Sequence, residues 1–396
     1  LPQGENRVAA MIPVARVTDM LLDPGGRFDF DGSVRTYPEI RLVYWAGGNP
    51  FHHHQDTNRL LRAWRVPETI VVHEAWWNAH ARHADIVLPV TTFFERDDVC
   101  GSSRASQLVA SRRVSEPPGE CLDDFVIFSR LATRLGVEAE YTEGRDAAGW
   151  IRHLYERTAE TARRQKHEMP AFEAFWDGGI AEVSEQPHYR EHMQAFREDP
   201  LAHPLATPSG RIELFSSTIA GFGYRDCPGH PAWLEPVEWL GSPAAAAHPL
   251  HLLANQPADK LHSQWDHSPL SRANKIQGRA RLSMHPQDAA SRGVIAGEVV
   301  RVFNRRGAML AGIAIDDGVR PGVVQMSTGA WFDPLEPGTI GSLDKHGNPN
   351  VLTPDIGTSA LSQGPSPNTC LVQVEKFAGE LPPITCFDPP MLKAGT

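Results

Sequence analysis

The chain has 396 residues, with 38 Lys and Arg against 48 Asp and Glu and a formal charge of −10. With 41% hydrophobic and 22% charged residues it has the composition of a folded protein, and its length accommodates roughly two or three domains. No run approaches the roughly 18–20 apolar residues of a membrane span, and the acidic balance argues against a general nucleic-acid surface. No membrane insertion and no nucleic-acid partner are therefore expected. The five cysteines, Cys100, Cys121, Cys227, Cys370 and Cys386, form no C-x-x-C pair and no finger spacing. Neither an iron–sulfur cluster, a structural zinc nor a disulfide framework is expected within this chain. The beginning, Leu1-Pro2-Gln3, has no basic-then-apolar leader and is expected to be a processed or truncated end.

In chain order, Ile40–Trp45 reads as a strand, followed by a Gly-rich turn, a helix over Phe51–Trp64, and strands at Thr69–Val72 and Ile86–Leu88. This is α/β patterning with a parallel sheet. Phe125, Phe128, Leu131 and Leu135 recur at helical spacing before Gly136, which predicts a helix over Asp123–Leu135. Ala147–Glu173 reads as an amphipathic, charge-laced helix. From Pro200 to Pro249 the chain is rich in Pro and Gly, with one strand-like run at Arg211–Phe215. Beyond it, His251–Ala254, Glu298–Asn304, Ala308–Ile315, Gly322–Met326 and Cys370–Val374 are short β-rich runs between turns, the patterning of a barrel. The expected division is an α/β domain over 1–199, a connecting region over 200–244 and a β-barrel over 245–396.

The densest signal is Trp45-Ala46-Gly47-Gly48-Asn49-Pro50-Phe51-His52-His53-His54-Gln55-Asp56. A buried strand runs into two glycines, then an N-cap at Asn49 and Pro50 at the first helical position. Such a start turns free N–H groups toward an anion, so phosphate is the natural ligand. The next strand ends at His73-Glu74, where a carboxylate can accept from a ribose or base edge. The glycines do not spell G-x-G-x-x-G, which disfavours a plain NAD site, and a ligand-free strand–turn–helix has the same spacing. Consecutive histidines at a helix start point about 100° apart, so His52, His53 and His54 alone cannot hold one ion. One of them bonding a phosphate is the better reading.

Three further runs stand out. In Thr91–Asp98, Glu95 and Asp97 read as paired carboxylates or, with Arg96 between them, as an ion-pair cluster, and the cluster is the stronger reading. Asn255–Gln264 and Gly347–Ser359, the latter continuing through Ser362-Gln363-Gly364, are polar runs that fit either a binding loop or a solvated one. Ser263 and Ser359 lack the G-x-S-x-G elbow of a nucleophile.

Together, Trp45–Asp56, Ala81–Pro89, Glu95–Asp98, Leu261-His262-Ser263-Gln264 and Asn350–Ser359 resemble the molybdopterin oxidoreductases of the dimethyl sulfoxide reductase family, within it the biotin sulfoxide and trimethylamine N-oxide reductase branch. Ser283–Gly297 and Val319–Gln325 resemble that family's dinucleotide-binding barrel. The resemblance is to the C-terminal half. It implies a Rossmann-like parallel-sheet domain followed by a double-psi β-barrel, with molybdenum held by bis(molybdopterin guanine dinucleotide). The metal's protein ligand is expected in the N-terminal half, the implied partner, so no metal ligand and no catalytic residue is assigned in this chain.

The resemblance further implies that Gly47, Gly48, Asn49 and His53 meet the diphosphate region of one dinucleotide. Glu74, Arg96 and Asp124 would form the guanosine end, with Asp123 as substitute for Asp124; Glu74 stands where relatives commonly have Asp. Gln256, Lys260, His262, Ser263 and Gln264 would meet the pterin and phosphate portion, joined by Asn350, Gln363 and Gly364. Pro365-Ser366-Pro367 departs from the family's wording after Gln-Gly. The implied activity is oxygen-atom transfer from a small S-oxide or N-oxide, with electrons from an unidentified donor and the difficult chemistry carried by the cofactor. Nitrate reduction, formate oxidation and a non-catalytic nucleotide-binding or assembly module are the alternatives. The implied compartment is the cytoplasm, with the periplasm as alternative.

Overall fold

A computed structural model of the chain describes residues 5, 6, 8, 10–102, 105–184 and 192–390. The chain forms two compact units, one built mainly from His73–Ala75 and Leu88–Glu213, the other from Met11–Val72, Trp76–Val87 and the residues from Leu214 onward.

After a helical stretch over Val14–Arg16 and Val17–Leu22, the larger unit forms a hairpin, β1 (Arg27–Phe30) and β2 (Ser33–Thr36), paired antiparallel around Asp31-Gly32. Both turn residues have positive φ, +47° and +72°, the backbone that makes Asp-Gly a two-residue hairpin turn. Sequence patterning missed this hairpin, although its turn signal was present.

A three-stranded sheet follows in the order β3 (Leu42–Ala46), β4 (Thr69–Glu74), β5 (Ile86–Pro89). Short helices, Thr57–Ala63 and Ala79–Arg82, carry the chain between these strands, the crossover that parallel pairing requires. Central β4 buries four consecutive residues, Ile70–His73, whereas both edge strands remain half exposed. The single helix expected over Phe51–Trp64 is two, Pro50–His53 and Thr57–Ala63. The break has a local cause: Asp56 turns left-handed at φ +45° and caps the second helix by accepting from the Arg59 N–H at 3.0 Å.

The smaller unit holds the antiparallel sheet β6 (Asp98–Gly101), β7 (Gln107–Ser111), β8 (Ile180–Glu182). The helix Ala147–Arg164 buries Ile151, Tyr155 and Ala162, and its core also contains Val99, Leu108, Phe175 and Ala181. This helix stops at Arg164 rather than running to Glu173, and a separate helix spans Phe172–Gly178. The helix Asp124–Leu135 ends as expected at Gly136, which takes φ +75°.

The remainder of the larger unit is a closed barrel of β9 (Leu250–Asn255), β10 (Arg281–Met284), β11 (Val299–Asn304), β12 (Gly307–Ile315), β13 (Val323–Ser327) and β14 (Cys370–Lys376). Its cyclic order is β10-β12-β11-β14-β9-β13, with β10/β12 and β9/β13 parallel and the other neighbours antiparallel. Alternating residues fill it, among them Leu252, Leu282, Met284, Val300, Val302, Met309, Ile313, Val324, Val372 and Val374. Closure leaves no free sheet edge. Patterning alone located every barrel strand but β10. The run Arg211–Phe215 is not a strand: it pairs with no strand among the described residues, and Ile212, Leu214 and Phe215 are exposed.

Leu282 is wholly buried inside the barrel. Leu282→Ala is expected to lower stability by about 2–5 kcal/mol; a denaturant midpoint unchanged from the parent would show that the barrel interior is not packed as described.

Candidate functional site: a histidine cluster, a glycine turn and an acidic strand end

In the larger unit β3 runs into Gly47 and Gly48, both at φ +81°, a conformation that residues with a Cβ rarely adopt. The Trp45 indole N–H donates to the Gly47 carbonyl at 2.7 Å and fixes the turn. Asn49 Oδ1 accepts from the Phe51 N–H, and the His52 and His53 N–H groups both bond the Asn49 carbonyl. The first helical N–H groups are thus satisfied within the turn, not left free for an anion. What this turn presents is the two glycines and the imidazoles of His52 and His53.

His262 belongs to the same unit and meets them from the loop after β9. The three ring centroids are 4.8, 5.5 and 5.2 Å apart. Burial, reinforced by its neighbours His53 and His262, pushes the His52 pKa down to about 3, and burial likewise lowers that of His53. His52 Nδ1 and His262 Nδ1 are buried without a hydrogen-bond partner. His54 lies outside the cluster and is also buried.

The loop carrying His262 is strained: His262 and Trp265 have φ +53° and +61°. Gly329 accommodates it, because a Cβ there would lie 2.1 Å from the His262 carbonyl oxygen. Lys260 reaches inward, its ammonium 3.2 Å from Asp266, 3.2 Å from the Ser271 hydroxyl and 3.5 Å from Asp259. Lys275 joins Asp266 at 2.8 Å. Burial opposes charge on Asp266, but Lys275, His346 and Lys260 hold its carboxyl well below the usual range. Lys260, Lys275, Ser271, Asn274 and Arg281 border a cavity of about 370 Å³. Gln256 and Gln264 are exposed, while Ser263 is buried and its carbonyl accepts from the Trp331 indole.

The remaining expected residues of this unit hold loops in place. Asn350 donates to the His52 carbonyl at 2.6 Å and accepts from the Thr353 hydroxyl, so its carboxamide ties the histidine turn down from beneath. Gln363, at φ +53°, donates to the Asp29 carbonyl in the first hairpin, and the Gly364 carbonyl accepts from Thr358.

In the smaller unit Asp124 Oδ1 lies 2.6 Å from His73 Nδ1, and Asp123 accepts from the Thr91 hydroxyl at 2.7 Å. Glu74 accepts from the Ala75 N–H. Arg96 donates to the Thr91 carbonyl at 2.9 Å and pairs with Asp98 at 3.3 Å, while Glu95 accepts from Thr92 N–H and Asp97 from Arg113 N–H. The carboxylates beside Arg96 are therefore loop fasteners rather than an acid/base pair. Arg96 and Asp123 line a cavity of about 350 Å³.

Comparison with known proteins finds two matched regions, the first of which draws on both units. Residues 4–134 match the family described as Molybdopterin oxidoreductase, and residues 250–371 the Molydopterin dinucleotide binding domain. The chain belongs to the molybdopterin oxidoreductases. It is 51% identical over 383 residues to biotin sulfoxide reductase of Cereibacter sphaeroides, covering 96% of this chain and 50% of that protein. It is 48% identical to dimethyl sulfoxide/trimethylamine N-oxide reductase of the same organism, over 96% of this chain and 47% of the relative. With trimethylamine-N-oxide reductase of Haemophilus influenzae the identity is 43%, over 96% and 46%. The chain spans about half the length of the curated relatives it matches. Acetylene hydratase from Pelobacter acetylenicus shares the fold, with a TM-score of 0.66 at 22% identity, over 86% of this chain and 45% of that one. The cofactor these regions serve is a molybdopterin dinucleotide with molybdenum.

The residues fit such a group: the buried imidazole nitrogens of His52 and His262 have no hydrogen-bond partner, and the turn at Gly47 and Gly48 carries no side chain to bar a close approach. Sequence reasoning missed Asp266, Lys275 and His346. Asp266 stands two residues past the quoted Leu261–Gln264 motif, but nothing local marks a carboxylate for burial.

His54, His80 and His346 are each pushed down to about 4, chiefly by burial, whereas burial raises Asp344 to about 7. The folded histidines stay neutral while unfolded ones protonate below about 6.5, so their contribution is complete above that pH and is lost as pH falls toward 4. Asp344 acts oppositely, contributing fully below about 3.9 and losing that contribution as pH rises through 7. With His52 added to these three histidines, four stand against that one carboxylate, and stability is expected to fall from pH 6.5 to 5, by up to about 1.4 kcal/mol per pH unit for each net proton. Urea midpoints that do not change across that interval would contradict this balance.

Proposed function

We propose that this chain is the C-terminal, cofactor-binding portion of an enzyme that reduces small S-oxides or N-oxides. The observation that carries the proposal is 41–51% identity, over nearly the whole chain, to reductases of dimethyl sulfoxide, trimethylamine N-oxide and biotin sulfoxide. The proposed cofactor is bis(molybdopterin guanine dinucleotide), whose metal receives its protein ligand from an N-terminal portion like that of the relatives. When bound, the group supplies oxygen-atom transfer coupled to two-electron reduction, with electrons from a separate donor.

The role left to this chain is to bind and orient. Gly47 and Gly48, lacking side chains, let a diphosphate approach, and His53, His262 and Lys260 are its proposed polar contacts. Asn350 holds the histidine turn, and Asp266 holds Lys260. In the smaller unit Glu74, Arg96 and Asp124 are the proposed guanosine contacts, with Asp124 steadied by His73. Nitrate and formate chemistry on the same scaffold are the readings to be separated from this one. In an enzyme assembled with the N-terminal portion, reduced viologen dye should be oxidised on adding dimethyl sulfoxide, trimethylamine N-oxide or biotin sulfoxide. Turnover of nitrate alone would overturn the assignment.

Asn49→Asp tests the cofactor contact separately from folding. Asp caps a helix as well as Asn, so the turn should survive, but a carboxylate beside a diphosphate is repelled. Molybdenum and guanine retained per protein are expected to withstand dialysis less well, with affinity reduced on the order of tenfold or more. Full occupancy would count against the proposed position of the diphosphate.

A further inference from the structure

The histidine triangle has a chemical capacity that does not depend on what the complete enzyme binds there. His52 and His53 come from one short helix and His262 from the loop after β9, and one potential donor nitrogen from each lies within 4.8 Å of the others. Two adjacent helical residues diverge by about 100° and chelate poorly. The third imidazole, arriving from a separate loop, changes the geometry from a divergent pair to a convergent triangle.

The backbone on both sides of the triangle is fixed. Asn350 bonds the His52 carbonyl, Gln55 bonds the His53 carbonyl at 3.1 Å, and His262 is held left-handed against Gly329. His52 is 5% exposed, and its Nδ1 has no partner, so a buried polar atom is left over in the cluster. His53 is exposed and leaves one side open.

We propose that His52, His53 and His262 bind one divalent transition-metal ion when the chain carries no dinucleotide. Imidazole nitrogens suit zinc, copper, nickel and cobalt, whereas calcium and magnesium require oxygen donors that the triangle lacks. Three histidines with water in the fourth place make an open tetrahedral site. Metal–nitrogen distances of about 2.0–2.1 Å set the donors about 3.4 Å apart in a tetrahedron. Rings at the observed spacing must therefore close by up to about 1.4 Å, within reach of side-chain rotation at the exposed His53. One corollary rests on the proposed function: since His53 and His262 are also assigned to the dinucleotide, ion and cofactor would exclude each other. Ion binding itself does not rest on that reading.

The 396-residue chain, stripped with chelator, would be titrated with cobalt chloride followed optically and with zinc chloride followed by calorimetry. One ion per chain is expected, with the visible bands of tetrahedral cobalt. His53→Ala alters an exposed side chain and should leave the fold intact, and His262→Gln keeps much of the ring's volume. Each is expected to weaken binding by more than the roughly 10–100-fold typical of outer-sphere changes, while His54→Ala leaves affinity unchanged. Circular dichroism would confirm that each variant is folded. Absent binding, or affinity equal to the parent chain's in folded His53→Ala and His262→Gln, would overturn the site. If the ion binds yet the cofactor loads normally in its presence, only the corollary fails.

Discussion

Asp266 has no exposure to water, yet two ammonium groups close on the same oxygen, Lys260 at 3.2 Å and Lys275 at 2.8 Å. Desolvating such charges costs several kcal/mol per ion unless the remaining hydrogen-bonding capacity is used, and here it is. Oδ1 also accepts from the Ser271 hydroxyl and Oδ2 from the Trp331 N–H. One carboxylate thereby joins the loop after β9, the helix Pro269–Ala273 and the residues after β13. The position of Lys260 follows from it, and the strained backbone of His262–Trp265 lies between two of its anchors.

Part of the chain's left-handed backbone lies at the proposed ligand contacts. His262, Trp265 and Gln363 occupy left-handed backbone without being glycine, a condition that persists only when surrounding contacts over-determine it. Gly329 makes room for the His262 carbonyl, Asn350 ties the histidine turn, and Gln363 is bonded to the first hairpin. The regular barrel supplies rigidity, and the irregular loops mounted on it supply the chemistry.

Short β-rich runs such as Glu298–Asn304 and Ala308–Ile315, separated by turns, made the barrel legible, and the Asn49-Pro50 pair made a helix start legible. Both are local: an apolar run bounded by turn residues, or a cap followed by a ring with fixed φ. β10 escaped patterning because Arg281–Met284 alternates over only four residues, too short a run to stand out. Arg211–Phe215 has β-like composition and no neighbour to pair with among the described residues, which no single segment can disclose. The histidine triplet showed that two or three adjacent rings diverge, but the arrival of His262 is a property of the closed barrel. Family resemblance supplied the nature of the cofactor, which spacing alone did not. Buried ion pairs such as Asp266–Lys275 and Glu238–Arg306 were invisible because burial of a charge depends on the whole fold.

Barrel closure also imposes an order in time. β9 pairs with β13 and β14, and the Ala254 N–H bonds the Asn368 carboxamide 114 residues further on. Contacts of such sequence separation form late, because loop-closure entropy opposes them until both partners exist. On a ribosome the loop bearing Lys260 and His262 is synthesised long before the last strand that completes its support. A large anionic guest that needs those loops in place therefore has its site only once β14 has paired with β9.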